Sequence, residues 1–479
     1  MEYMMPAINV KLWKHQQLMV HEALENMTLP SGGFHYWFAD CGTGKTLAAI
    51  ELMRQLHEQK GANFVLVLTI KAGLNSVWRE DIETLTSGYV VHVLDKGTSK
   101  TKAKKLQDAK TKATTENDKI HVVVVNYETA RLLPIEKMGF DVVVADESHR
   151  LSSHNSKQSL VLAEKCNNIR YAVAMTGTAW ADHLKQIYGQ FRFLDPVVYN
   201  GNKHTGSRLF GHWKEFLHNY CNYYERDNIP IITGYKNVPE LIGKVSPYIT
   251  RVKREDVIDL PPIHHIRRPF TLTKFLRTYY EQIKNEKVAR IDDDVVMAQY
   301  EMTLRHRLHQ LTRGWYVSYP DEDVSRLQGS GSDLAVQTTV DLLEELGSEP
   351  VVIFTSYKED VRILDEAIHK KYKVHPTLLT GDVDQHELFM QGKSDILIAN
   401  LQAGSTGVRL HRARYVIFYG LSPSTARTNY LQAIDRVHRK GVQGTVHVYY
   451  IVGEGTIDED AYKLLSSKEA RDLKGQALL

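Results

Sequence analysis

Cysteine is scarce in this 479-residue chain, with three widely separated residues, Cys41, Cys166 and Cys221. So sparse and odd a set excludes a disulfide framework and offers no Cys-x-x-Cys zinc pair, so a reducing compartment is expected. An excess of one charge is also missing. Sixty Lys plus Arg stand against fifty-seven Asp plus Glu, a formal net charge of +3. That balance excludes a polybasic, histone-like protein and confines any nucleic-acid site to a local patch. Long apolar runs are absent: Val122–Val125 is far short of the roughly 20 residues a bilayer needs, so no membrane association is expected. Residues 1–6 have neither the basic head nor the apolar stretch of a secretory signal, and a cytoplasmic location is expected. His264-His265 and His306/His309 are close pairs, but no acidic or Cys partners complete a ligand set, so a zinc-type centre is not expected.

What is present is an ordinary globular composition, 43% apolar and 24% charged. The length fits about three domains of roughly 150 residues, or two large ones. Short apolar, β-branched runs alternate with helix-patterned stretches, the signature of buried parallel strands. A first set comprises Tyr36–Ala39, Phe64–Leu68, His121–Val125, Val142–Ala145 and Tyr171–Met175. A second comprises Val351–Phe354, Ile396–Ala399, Tyr415–Tyr419 and Val446–Ile451. Two α/β lobes are expected, residues 1–260 and 331–479, the first with a helical segment after 195. Residues 261–330 read as a helical insertion or linker: Thr273–Arg290 and Asp294–Leu311 look helical, and Gln328–Ser332 looks like a joint. Lys96–Lys112 is poor in apolar residues and reads as a mobile insertion.

Ala39-Asp40-Cys41-Gly42-Thr43-Gly44-Lys45-Thr46 follows an apolar strand and opens a helix. That is the setting of a phosphate-binding loop. Gly42, Thr43 and Gly44 bare backbone N–H groups at a helix N-terminus, Lys45 reaches the β- and γ-phosphates, and the Thr46 hydroxyl holds Mg²⁺. Ala39 stands where the general pattern has its first glycine. Val142–Ala145 runs directly into Asp146-Glu147-Ser148-His149, placing carboxylates on the ligand edge of a parallel sheet. Asp146 is expected to hold Mg²⁺, and Glu147 to deprotonate the attacking water. Gln432–Arg439 reads as a helix with Arg436 and Arg439 on one face. Arginines brought to the γ-phosphate are worth about 10³–10⁵ in rate, which would make hydrolysis depend on the second lobe.

The order of these segments resembles superfamily 2 helicase-like ATPases, and within them the Snf2-type double-stranded DNA translocases. The resemblance runs from about Leu12 to Ile457. Leu12–Gln16 is similar to the motif whose glutamine contacts adenine, which implies that role for Gln16. Ala39–Thr46 matches motif I, Leu66–Glu80 motif Ia, Val125–Thr129 motif Ib, Asp146–His149 motif II, and Thr176-Gly177-Thr178 motif III. Val352–Ser356 resembles motif IV, Gln402–Gly407 motif V, and Gln432–Arg439 motif VI. Ile249–Val257 followed by Leu260-Pro261-Pro262 resembles the Snf2-specific element that closes lobe 1. Ala179, and Tyr419–Pro423 in place of Trp-Asn-Pro, depart from the pattern.

The resemblance implies two RecA-like lobes, ATP and Mg²⁺ as cofactors, and double-stranded or branched DNA as partner, in replication, recombination or repair in a bacterial or phage setting. His149, Thr176, Gly177, Thr178 and Gln432 would couple the nucleotide to the track. Lys71, Asn126, Tyr127, Thr355, Ser356 and Thr406 are the candidate DNA contacts. A monomer is expected, and protein partners are not readable. A strand-separating or branch-migrating helicase stays open, as does a nucleic-acid clamp with a vestigial ATPase.

Overall fold

The computed structural model describes residues 6–28, 32–178, 183–198, 205–329, 331–401, 408–421, 427–439 and 441–466. The chain divides into two compact units, which change over in sequence between Ile258 and Asp259.

The first unit is built on seven strands: β1 (Gly33–Ala39), β2 (Phe64–Thr69), β3 (Tyr89–Val93), β4 (Ile120–Asn126), β5 (Val142–Asp146), β6 (Tyr171–Thr176) and β7 (Ile249–Val252). Their spatial order is β7-β1-β6-β5-β2-β4-β3, and every pairing is parallel. Side chains alternate across the sheet, and both faces are buried. Tyr36, Phe38, Leu66, Val123 and Val143 enter one core, while Trp37, Val65, Val67, Val122 and Val144 enter the other. Double burial is why these strands read as unbroken apolar runs. Register brings the carboxyl ends together: Thr69 lies opposite Asn126, Asp146 opposite Met175, and Thr176 opposite Phe38.

The second unit repeats the plan with β8 (Ile263–Phe270), β9 (Val351–Thr355), β10 (Thr377–Leu379), β11 (Ile396–Asn400), β12 (Tyr415–Phe418) and β13 (Val446–Gly453). The order is β8-β13-β12-β9-β11-β10, again all parallel. Val351 and Ile353 face one core, Val352 and Phe354 the other.

Three expectations are corrected. Residues 261–330 are not an insertion of helices alone. Strand β8 is an edge of the second sheet, and helix Lys274–Glu286 is followed by the hairpin Val288–Ile291/Asp294–Met297 before helix Glu301–Thr312. Leu276, Ile283, Leu308 and Leu311 of those helices belong to the second unit's core. The segment after 195 carries the hairpin Cys221–Arg226/Ile229–Tyr235, turned by Asp227 and Asn228 at φ +51° and +60°. The Lys-rich stretch is an ordered helix, Ser99–Thr115, capped by the Thr98 side chain and held to the sheet by buried Leu106, Ala109 and Ala113.

Candidate active site

Strand β1 delivers Ala39 to the sheet's carboxyl edge, and helix Lys45–Lys60 begins six residues later. Gly42 and Gly44 sit at φ +83° and +77°, in the left-handed region where a side chain is strained. At Gly44 the requirement is double, because a Cβ would come within 2.1 Å of Gln16 Nε2. That amide donates to Gly44 O at 3.1 Å, and Gln16 Oε1 accepts from Trp13 N at 2.8 Å. Gln16 is only 3% exposed, so adenine recognition there would require exchanging one of these bonds. His15 Nε2 lies 2.8 Å from Thr43 O; a carbonyl only accepts, so that nitrogen carries the proton. The buried Lys45 ammonium donates to Ala39 O and Asp40 O at 2.8 and 3.0 Å. Thr46 follows, partly exposed.

The loop is braced by the segment Ile249–Val257. Strand β7 pairs with β1, Asp40 N donates to Val252 O at 3.0 Å, and the Asp40 carboxylate accepts from Arg254 N at 2.9 Å. The Arg251 guanidinium lies 3.8 Å above the Phe38 ring. Sequence reading did not assign Asp40 this role, because its partner lies 214 residues away.

At the end of β5, Asp146 Oδ2 accepts from Thr69 Oγ1 and Trp78 Nε1, both at 3.0 Å. Trp78 is fully buried in a single π-helical stretch, Leu74–Arg79, a wide turn that often marks functional positions. Burial, and then the neighbouring Glu147 charge, push the Asp146 carboxyl up to about 6, against the opposing Trp78, Lys45 and Thr69 contacts. Glu147 has φ +53°, a strained setting for a side chain that persists only where the surroundings hold it. Thr176 Oγ1 donates to Glu147 Oε2 at 3.3 Å, which leaves its oxygen to accept from His149 Nδ1 at 3.1 Å and Thr178 N at 3.1 Å. Motifs II and III thus form one hydrogen-bonded chain. Gly177 lies where a Cβ would be 3.1 Å from Cys41 N, so the same motif also lies against the phosphate loop. Behind it, Gln190 Oε1 accepts from Tyr36 OH and Ser148 Oγ at 2.7 and 2.9 Å. The half-buried Asp146 carboxylate and the partly exposed Thr46 hydroxyl are hard oxygen donors, the ligand type that suits a magnesium ion.

The candidate track contacts fare unequally. Lys71 is exposed in the turn after β2. Asn126 is partly exposed and donates to Glu128 Oε2 at 2.9 Å, and Glu128 Oε1 accepts from Arg150 at 2.5 Å. Tyr127 is fully buried, and its hydroxyl donates to Asp146 O at 2.6 Å, so it braces the acidic strand end and does not reach the surface. In the second unit Thr355 is likewise fully buried at the end of β9, while Ser356 donates to Gly420 O at 3.0 Å. Thr406 lies outside the described residues, with all of Gln402–Gly407 and Ala179.

Gln432 is buried within helix Arg427–Val437, and Arg436 is partly exposed. The helix ends at Val437, so Arg439 stands just beyond it rather than one turn along the same face. Between the arginines, His438 Nε2 donates to Pro261 O at 2.7 Å, and Val446 N donates to Pro262 O at 2.9 Å. The Leu-Pro-Pro element is therefore anchored to motif VI and opens the second unit.

Two all-parallel sheets of this kind, one bearing a phosphate loop beside an acidic strand end, define a RecA-like, helicase-type ATPase core. The chain belongs to the SNF2-related domain family, whose model matches residues 36–316. The helicase conserved C-terminal domain matches residues 335–441. The human DNA annealing helicase and endonuclease ZRANB3 is 25% identical over 90% of this chain and 37% of its own length. The chicken DNA repair and recombination protein RAD54B is 24% identical over 98% of this chain and 55% of its own. This chain therefore spans about half, or less, of the length of these relatives. The Sulfolobus solfataricus SWI2/SNF2 ATPase core in complex with dsDNA is 18% identical, with a TM-score of 0.44 over 98% of this chain and 94% of that one. Among the described residues, no helix is long and apolar enough to cross a membrane.

Proposed function

We propose that this chain hydrolyses ATP and uses the cycle to translocate on double-stranded DNA without reading its sequence. The observation that carries the reading is the chain Glu147–Thr176–His149 beside the phosphate loop, a base wired to the motif that lies against it. Gly42, Thr43 and Gly44 offer N–H groups to the triphosphate, and Lys45 leaves its two carbonyl acceptors for the β- and γ-oxygens. Thr46 and Asp146 would hold Mg²⁺, which when bound offsets the phosphate charge. Glu147 takes a proton from water, the resulting oxygen attacks the γ-phosphorus, and the bond to ADP breaks, leaving ADP and phosphate. Arg436 and Arg439 supply positive charge to the transferring phosphoryl group.

Duplex DNA as track rests on the family and on relatives named for DNA repair and annealing. The name of the human relative also favours a second reading, an annealing or branch-migrating motor. A cytoplasmic, monomeric protein acting in repair or recombination fits both.

The test is a steady-state ATPase assay with and without duplex DNA. Glu147→Gln should lose turnover by about 10²–10⁴ while still binding ATP; retained turnover removes the assigned base. Absence of DNA stimulation in the unaltered chain would favour a clamp. Triplex displacement without fork unwinding would separate translocation from strand separation.

A further inference from the structure

Helix Ser99–Thr115 carries Lys100, Lys102, Lys104, Lys105, Lys110 and Lys112, with Lys96 in the turn before it. Asp108 is the helix's one acidic residue. None of these seven lysines forms an ion pair within the described residues, whereas Lys119, just beyond, pairs with Glu116 at 2.8 Å. The arrangement works against the helix. The first turn contains no acidic residue and two lysines, at the positive end of the helix dipole. Lys100 and Lys104 are like charges at i, i+4, also unfavourable. The helix buries Leu106, Ala109 and Ala113, and none of the exposed lysines Lys100, Lys104 and Lys105 is among the residues it buries.

The placement supplies the reason. The helix follows β3 and starts at the sheet's carboxyl edge. The turn before it is tied to motif Ia, because Asn75 Nδ2 donates to Asp95 Oδ2 at 3.1 Å. One turn in, Lys102 Nζ donates to Thr129 Oγ1 of motif Ib at 3.4 Å. The turn that holds Lys96 and the first turns of the helix, which carry Lys100, Lys102, Lys104 and Lys105, are therefore tied to motifs Ia and Ib, and Lys96, Lys100, Lys104 and Lys105 are exposed. Further along, Lys110 donates to Lys137 O at 3.0 Å.

We propose that the amino-terminal half of this helix is a phosphate rail that extends the DNA track of the first unit beyond motifs Ia and Ib. The inference rests on the reading of DNA as track. Lysines on flexible stems suit a sliding contact, because they neutralise phosphates as point charges and carry no sequence information.

The experiment uses the full chain with Lys100→Gln/Lys104→Gln/Lys105→Gln combined. Glutamine keeps helix propensity and removes charge. Duplex affinity is measured by fluorescence anisotropy between 50 and 200 mM salt. Each lost phosphate contact lowers the slope of log affinity against log salt by about 0.9, so the expected slope is shallower by about 2 to 3. The DNA concentration giving half-maximal ATPase stimulation should rise, with the thermal midpoint equal or higher. A Lys110→Gln/Lys112→Gln control should move the slope far less. An unchanged slope in the triple variant overturns the proposal, as does an equal fall in the control, which would mean diffuse charge. Polyglutamate competing as well as duplex would assign the face to an acidic polypeptide and also overturn it. If the unaltered chain shows no duplex binding, the DNA reading itself has failed, a result distinct from a DNA-stimulated protein indifferent to these lysines.

Discussion

Thr69→Val probes the acidic strand end with little change of shape. Thr69 is fully buried, and its hydroxyl is one of two donors to Asp146 Oδ2. Valine keeps the volume and removes the donor, so no cavity complicates the outcome. A hydrogen bond to a charged acceptor contributes about 1.5–3 kcal/mol, which corresponds to roughly one to two pKa units. The Asp146 carboxyl, already raised to about 6, should climb towards neutrality when that donor is lost. The sign follows directly. Protonation competes with cation binding, so the variant should need about tenfold more Mg²⁺ for half-maximal ATPase near pH 7. The deficit should narrow at pH 9, where the carboxylate is ionised in both proteins. A magnesium titration of ATPase at pH 6.5 and pH 9 reads both effects. Equal magnesium dependence at the lower pH, or a deficit of the same size at both, would refute the assignment of Asp146 as the oxygen ligand held by Thr69. Trp78→Phe removes the other donor, and the double variant should fall short of additivity because both bonds end on one oxygen.

Other perturbations separate bracing from contact. Tyr127→Phe removes the bond to Asp146 O and should lower ATPase while leaving duplex affinity unchanged in an anisotropy titration. Gly44→Ala should cost about 1–2 kcal/mol of backbone strain and displace Gln16, seen as weaker nucleotide binding and a lower thermal midpoint. Asp458→Asn strands the buried Arg313 guanidinium that it meets at 2.7 Å, and should destabilise the second unit by about 3–5 kcal/mol in denaturant unfolding. His35, held at about 3 by burial, stays neutral in the fold but protonates when unfolded, so stability falls as pH drops below about 6.5, by up to about 1.4 kcal/mol per unit. His35→Gln should flatten that slope between pH 6 and 4, and an unchanged slope would place the acid sensitivity elsewhere.

The central strands, the phosphate loop, the acidic pair and the motif order were legible from residue order because each is a local pattern. Val142–Ala145 must be apolar on both sides to lie inside a parallel sheet, and the loop's glycines must be adjacent to bare its amides. Strands β3, β7, β8 and β10 were not legible, and all four are sheet edges, where one-sided pairing relaxes the demand for continuous apolar side chains. Strand β8 even tolerates Pro269. The helical reading of Asp294–Leu311 gave way to a hairpin strand and a shorter helix, and Lys100–Lys112 proved to lie in a helix that buries Leu106, Ala109 and Ala113.

The sequence by itself determined the family and the edge of the sheet on which the candidate site residues of the first unit stand. Only the tertiary structure decided what holds those residues to their task. Thr69 and Trp78 reach Asp146 across 77 and 68 residues, and Asp40 meets Arg254 across 214. It also turned Tyr127 inward, and tied the turn before the lysine helix to motif Ia and the helix itself to motif Ib. Such partners share no spacing rule, because a hydrogen bond depends on a gap of about 3 Å that sheet order and register create, and neither is written in the interval between two residues.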